Sequence, residues 1–324
     1  MPHEARGMTV RMARGRALGL LGAGAAAAVP RSARAQSGSP ALRLGTNISD
    51  AFAEPWYALD AGYLDRAGIT ASLQIFAGSG ATATALAAGA IDLAVIDAVA
   101  VANAQLHGVD FIAIAPSGLF RVADPSSVLC VDKSSSLSSA RDLVGKLVSV
   151  PSLQSLTTVA VQAWLQRNKV DPAAVKFIEV PFGAVAAALA HGTVACGYIG
   201  EPLLSEALAA NAKIFAVPYV VFGNVSAINV WVTTRGWLDK NRDLARRFCA
   251  AMYATAAWAN QHPDQTAAIL AKYAKIDIDR VRAMRRATYA TSYDPSLIKS
   301  QLELAAEFKA IPRAYAVDEI MVKP

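Results

Sequence analysis

Residues 80–97 read GATATALAAGAIDLAVID, and residues 183–201 read GAVAAALAHGTVACGYIGE. Set side by side, Gly80 falls on Gly183 and Gly89 on Gly192, each pair 103 residues apart. The same offset carries Gly108 onto Asn211 and Phe111 onto Ile214. Each copy reads as an Ala-rich helix closed by a glycine suited to a left-handed cap, then a short apolar strand. Ala-rich helices inflate such likeness by composition alone. Caps, turns and strands that keep register across residues 80–115 nevertheless point to an internal duplication.

The same alternation extends in both directions. The first copy reads as strand 42–46, helix 53–64 with a stop at Gly68, strand 73–76, helix 81–88, strand 91–96, helix 99–107 and strand 111–115. The second reads as strand 147–150, a helix from the N-cap Ser155 to residue 167, strand 177–180, helix 183–190, strand 194–199, helix 203–210 and strand 214–217. Leu156, Val159, Ala163 and Trp164 form the apolar side of the helix after Ser155. Strands joined by helices of this length are parallel βαβ units covered on both faces. The fold class is therefore α/β: two lobes, each a mostly parallel sheet flanked by helices, with a cleft between their strand ends, where open α/β sheets bind ligands. After strand 230–233 come helices over 238–260, 267–273, 279–286 and 295–308, which show no third copy and are expected to return to the first lobe. Crossings near 124–127 and 225–229 give lobe I as 36–126 plus 229–324 and lobe II as 127–228.

Composition fits this picture. The chain is 54% hydrophobic and 17% charged, which excludes a disordered protein. The formal charge of +6 is concentrated at the front, where residues 1–35 hold six Arg and one Glu. From Gln36 onward the balance is +1, so a nucleic-acid partner loses its electrostatic support. A basic stretch over 1–16, an uncharged apolar run over 17–29 and Ala33-Arg34-Ala35 have the order of a cleaved secretory signal, with cleavage after Ala35. The apolar run is shorter than the roughly 20 residues a bilayer span needs. Cys130, Cys196 and Cys249 are widely separated and lack metal-ligand spacing, and the His residues show no ligand pattern. No metal or cofactor is expected.

With these residues in place, the sequence resembles the periplasmic substrate-binding proteins of ABC importers, in the SsuA/THI5-like (NMT1-like) branch that covers nitrate, sulfonate, taurine and thiamine-precursor binders. The likeness spans about 41–310. It rests on Ala88-Gly89-Ala90-Ile91-Asp92-Leu93-Ala94, on Asp142-Leu143-Val144-Gly145-Lys146-Leu147-Val148, on Gly200-Glu201-Pro202, and on AAWANQHP over 256–263. The resemblance implies a two-lobed, periplasmic-binding-protein-like (type II) fold and capture of a small solute by a monomer that serves an ABC permease and its ATPase. Some positions depart from the family pattern. Gly192-Thr193-Val194-Ala195-Cys196 lacks the acidic residue common there, and Pro151-Ser152-Leu153-Gln154-Ser155 lacks the Gly-Ser that cradles a sulfonate. Cys196 stands alone where the related pyrimidine synthases cluster cysteines.

The fold places ligand contacts on the loops after strand ends. In lobe I these are Asn47, Ser49, Asp50 and Trp56, then Gly78, Ser79 and Gly80 at a helix start whose free N–H groups favour an anion, then Asp97, Ala98 and Ser117. In lobe II they are Ser152, Gln154, Ser155, Phe182, Tyr198 and Glu201. Asn47, Ser49 and Asp97 are equally suited to helix capping, and the aromatic residues to the core. The loops carry Asp50, Glu54, Asp97 and Glu201 but no Lys or Arg, which disfavours a bare inorganic anion. A small organic ligand with a planar part, a sulfonate, carboxylate or amine-bearing heterocycle, fits better. No catalytic residue is assigned. The rival reading is a periplasmic enzyme of dehydratase or lyase type with Asp97 and Glu201 as its acid–base pair; a sensory domain is a third.

Overall fold

Leu42–Asn47 (β1) and Ala71–Phe76 (β2) pair in parallel along their whole length, and β1 pairs in parallel with Leu93–Ile96 (β3) on its other side. The computed structural model describes residues 41–324, so the signal expected over 1–35 lies outside the described residues. Beyond β3 the first sheet takes in Phe111–Pro116 (β4), but not directly. Val230–Thr234 (β12), which arrives from much later in the chain, lies antiparallel between β3 and β4. The order is β2-β1-β3-β12-β4.

The second sheet is built from Ser127–Asp132 (β6), Leu147–Val150 (β7), Lys176–Glu179 (β8), Cys196–Gly200 (β9) and Ala212–Ala216 (β10), in the order β10-β6-β9-β7-β8. Again three parallel strands are followed by one antiparallel strand, here β6, and then the last. The two sheets have the same topology, as the 103-residue offset implies. The sequence reading lacked the antiparallel member of each sheet's parallel set. No periodicity marks β6, and nothing in the sequence gives strand 230–233 a place between β3 and β4.

The chain passes between sheets through Gly118–Arg121 (β5) and returns through the 3-10 turn Pro218–Phe222 and Val225–Ala227 (β11). β5 and β11 pair antiparallel, and Thr288–Tyr289 (β13) pairs with the other edge of β5.

Helices follow the expected order with shifted ends. The stretch 53–64 is two helices, Glu54–Asp60 (α1) and Tyr63–Arg66 (α2), separated at Gly62. Then come Ser79–Ala87 (α3), Ala98–Leu106 (α4), Leu156–Arg167 (α5), Phe182–Ala190 (α6) and Leu203–Ala210 (α7). Gly89 and Gly192 after α3 and α6 have φ of 69° and 66°, the left-handed conformation the paired glycines require. The stretch 238–260 is likewise two helices, Arg235–Lys240 (α8) and Arg242–Gln261 (α9). Pro263–Ala274 (α10), Ile278–Ala283 (α11), Lys299–Glu307 (α12) and Val317–Ile320 (α13) complete the chain.

Successive residues of each strand feed different cores. Leu93 and Val95 of β3, with Ile112 and Ile114 of β4, meet Phe248 and Met252 of α9. Ala94, Ile96, Phe111 and Ala113 belong instead to a core that continues through α4, α5 and α12 to Leu129 and Val131 of the second sheet. Val128 and Cys130 turn toward α6 and α7. The three cysteines are buried and unpaired. Burial pushes the Cys130 and Cys249 thiols up to about 12 and raises Cys196 as well, so all three stay protonated.

At the base of the crossing sits a buried carboxyl group. Ser117 Oγ and Trp231 Nε1 both donate to Glu54 Oε2, at 2.5 and 2.7 Å, while Glu54 Oε1 is buried without a partner. Burial pushes the Glu54 carboxyl up to about 8, against the lowering effect of those two donors. The folded chain thus keeps a proton that the unfolded chain releases at about 4.5, and stability falls as pH rises between those values. Glu54→Gln keeps an acceptor for both donors and cannot ionise. Its denaturation midpoint relative to the parent is expected to improve from pH 5 to pH 8.5, by several kcal/mol at roughly 1.4 kcal/mol per pH unit. Parallel pH profiles for variant and parent overturn this assignment.

Candidate ligand-binding site

Strand carboxyl ends in both halves run into helix N-termini, where backbone N–H groups lack intrahelical partners. In the first half these are the first turns of α3 and α4. Gly78 precedes α3, and a side chain at either Gly78 or Gly80 would meet nothing within 4 Å, so the first turn of α3 borders open space. Asp97 caps α4, its Oδ1 accepting from Ala100 N at 2.9 Å, with Ala98 buried just behind it. Burial raises the Asp97 carboxyl while the backbone donors of the cap oppose it. Asn47 ends β1, nearly buried, and its carbonyl accepts from Ser49 N. Ser49 Oγ reaches across to the Glu201 carbonyl at 3.5 Å, a long hydrogen bond between the halves.

In the second half, Ser155 caps α5 and donates to the Ser152 carbonyl at 2.7 Å, which also accepts from Thr158 Oγ1 at 2.6 Å. Gln154 is exposed beside this turn. Phe182 opens α6, half-buried, and Tyr198 lies buried in β9 with its hydroxyl 2.7 Å from Ser127 Oγ. Glu201 is buried at the start of α7 and accepts from Ser205 N and Ser205 Oγ at 3.0 and 2.8 Å. Burial raises its carboxyl, and those two bonds hold it back.

Three of the residues expected at the ligand are packed inside the first half instead. Trp56 is fully buried and stacks on Tyr273 at 5.3 Å. Ser117 spends its hydroxyl on Glu54. Asp50 is held by Arg286 Nε and Nη2 at 3.2 and 3.1 Å, by the Tyr57 hydroxyl at 3.0 Å and by Ala287 N at 2.6 Å. Arg286 also corrects the charge argument, because it brings a cation to loops that contain none in sequence. Burial works against the Arg286 charge, yet Asp50, with Tyr57 and Tyr289, raises the guanidinium above its ordinary value.

The structure adds residues that sequence reasoning missed. Tyr219, in the returning crossing, stacks on Tyr198 at 5.7 Å and lies 5.2 Å from the Phe120 ring of β5 and 5.3 Å from Phe222. Phe182 extends the series, 6.2 Å from Tyr198. The Tyr219 hydroxyl is 3.2 Å from Thr157 Oγ1 in the first turn of α5, and Asp97 helps to keep it un-ionised, after burial itself. One connected aromatic set therefore joins both crossings, β9 and the start of α6. The visible sign of Tyr219 was only Pro218 at the head of a turn; that of Arg286 was four Arg within residues 280–286 of an otherwise balanced body. Among the described residues, no three His, Cys, Asp or Glu side chains gather as metal ligands, and no helix is long and apolar enough to cross a membrane.

Removing one partner of the buried Asp50–Arg286 pair leaves the other uncompensated. Arg286→Ala is expected to cost about 3 kcal/mol in chemical denaturation; a change under about 0.5 kcal/mol, the range of ordinary surface substitutions, refutes the pairing.

Solved structures share this fold. The periplasmic aliphatic sulphonate binding protein SsuA from Escherichia coli aligns over 88% of this chain and 93% of its own, with TM-score 0.72 and 18% identity. The alkanesulfonate-binding protein SsuA from Xanthomonas axonopodis pv. citri, bound to MOPS, aligns over 87% and 98%, with TM-score 0.72 and 16% identity. The desulfurization enzyme DSZB aligns over 87% and 96%, with TM-score 0.63 and 16% identity. At such identities the likeness is one of fold, and the fold is that of periplasmic binding proteins. A search of curated protein sequences finds no match. Residues 51–266, two thirds of the chain, match the family model described as NMT1/THI5 like, and the chain belongs to the NMT1/THI5-like family.

Proposed function

We propose that this chain is the extracytoplasmic solute-binding component of an ABC importer. It captures a small organic ligand between its two sheet-bearing halves and delivers it, chemically unchanged, to a membrane permease and its ATPase. The halves, residues 36–126 plus 229–324 and residues 127–228, move as the two jaws, and residues 1–35 direct export to the periplasm. The observation that carries this reading is the aromatic set around Tyr219. It lies on both crossing segments, against the capped starts of α4 and α5, so a ligand that bridges the halves beside it acts on the segments that a hinge rotation would move. Such a ligand shifts the open–closed balance only as far as it binds the closed form better.

The same site supports a ligand class. Phe182, half-buried at the start of α6, is the member of the set that can offer its ring to a planar group, the other rings being buried against one another. The first turns of α3 and α6, which no side chain caps, offer N–H groups to an anionic one. With Asp50 neutralised by Arg286, the acidic burden on a carboxylate or sulfonate is lighter than the sequence alone implies. A ring-bearing sulfonate, an aromatic carboxylate or an amine-bearing heterocycle fits this frame.

One observation favours an enzyme: DSZB has this fold. The acid–base pair proposed for that alternative, Asp97 with Glu201, is engaged in capping, Asp97 at Ala100 N and Glu201 at Ser205.

Thermal-shift titration with MOPS, taurine, sulfate, benzoate and an aminopyrimidine tests the ligand class, and recovery of the bound compound tests for chemistry. Stabilisation by a ring-bearing compound, recovered intact, is expected; a response to sulfate or taurine alone refutes the ligand class, and a chemically altered compound refutes pure binding. For the best compound, Phe182→Ala is expected to weaken the dissociation constant about tenfold by calorimetry, the scale of a lost aromatic contact.

A further inference from the structure

We infer that residues 278–289 form an electrostatic latch that holds the two halves of the molecule together. The segment is anchored in the first half at its far end. Arg286 and Ala287 bind Asp50, Asn260 exchanges hydrogen bonds with the Tyr289 backbone at 2.9 Å in each direction, and β13 pairs with the crossing strand β5. In its middle, Arg285 grips the outgoing crossing: Nη1 donates to the Pro125 carbonyl at 3.2 Å and Nε lies 3.5 Å from the Asp124 carboxylate. At its near end, Arg280 Nη1 reaches Glu206 Oε1 of α7 at 2.7 Å. α7 packs only against elements of the second sheet and its helices in that core, whereas α11 packs in the core of α1 and α10. The Arg280–Glu206 contact therefore spans the halves directly, alongside the Ser49–Glu201 bond.

The chemistry suits a reversible fastening. Both Arg280 and Glu206 are well exposed, at 64% and 55% of their side chains. An exposed pair is weak and screened by salt, so it biases an equilibrium without locking it. The anchor, by contrast, is buried: the Asp50 side chain is 1% exposed and Arg286 17%. A firm root and a loose tip are what a latch requires.

The test measures the separation of the halves in the full chain without added ligand. Spin labels are placed at Thr84→Cys in α3 and Ala187→Cys in α6, exposed positions one repeat apart, while the native cysteines are buried. In low salt, Arg280→Ala and Glu206→Ala are each expected to raise the long-distance fraction by up to about fivefold. The exchanged pair Arg280→Glu with Glu206→Arg should return the parent distribution, and the parent in 1 M salt should match the single variants. Distance distributions identical in parent and single variants, or an exchange that restores nothing, overturn the latch. Unchanged circular dichroism and thermal midpoints in the singles keep the comparison free of unfolding.

Discussion

At the point where the chain leaves the first half, Gly118 lies against the Ala51 carbonyl so closely that an added Cβ would stand 2.2 Å from its oxygen. The buried Asn229 side chain closes the same corner from the returning strand, accepting from Gly118 N at 2.8 Å and donating to the Ala51 carbonyl at 2.9 Å. One amide thus satisfies two backbone groups that no ladder reaches, and it ties the outgoing crossing to the incoming one. Glu54 joins the same two parts of the chain through the side chains of Ser117 and Trp231. The pairing of β5 with β11, the seat of Tyr219 and the docking of β13 all depend on this corner, since each is measured from where the crossings begin.

The duplication is the part of the fold that could be read from residues alone. Local signals carry it: caps at Gly89 and Gly192, the N-cap at Ser155, and apolar strands of four to six residues between Ala-rich helices. What escaped reading was what only tertiary contact decides. β6 and β12 enter their sheets antiparallel, without a helix after a parallel partner to announce them. The breaks that split α1 from α2 and α8 from α9 are one or two residues long, Ala61-Gly62 and Asn241, inside otherwise helical patterns.

The candidate site divides in the same way between local and distant signals. Ser155 reads as a helix cap and Asp97 as either a cap or a ligand contact, and both cap their helices. Which side chains remain available there was not legible, because the answer lies with distant partners. Asp50 is taken by an arginine 236 positions later, and Ser117 by a carboxyl group 63 positions earlier. The lobe II aromatics Phe182 and Tyr198 were named from sequence, but the residue that links them to the crossings, Tyr219, sits in a short irregular turn that no periodicity marks.

The placement of β12 between β3 and β4 has a consequence for how the polypeptide acquires its shape. All five strands of the second sheet come from one continuous stretch, so that sheet can close as soon as its own residues are available. The first sheet cannot: Phe111–Pro116, buried along its entire length, has no neighbour in its own sheet until Val230–Thr234 has been made. The half that is synthesised first is therefore completed last. Until then its apolar edges at β3 and β4 stand unpaired, the state in which a nascent chain is most exposed to mispairing with its neighbours.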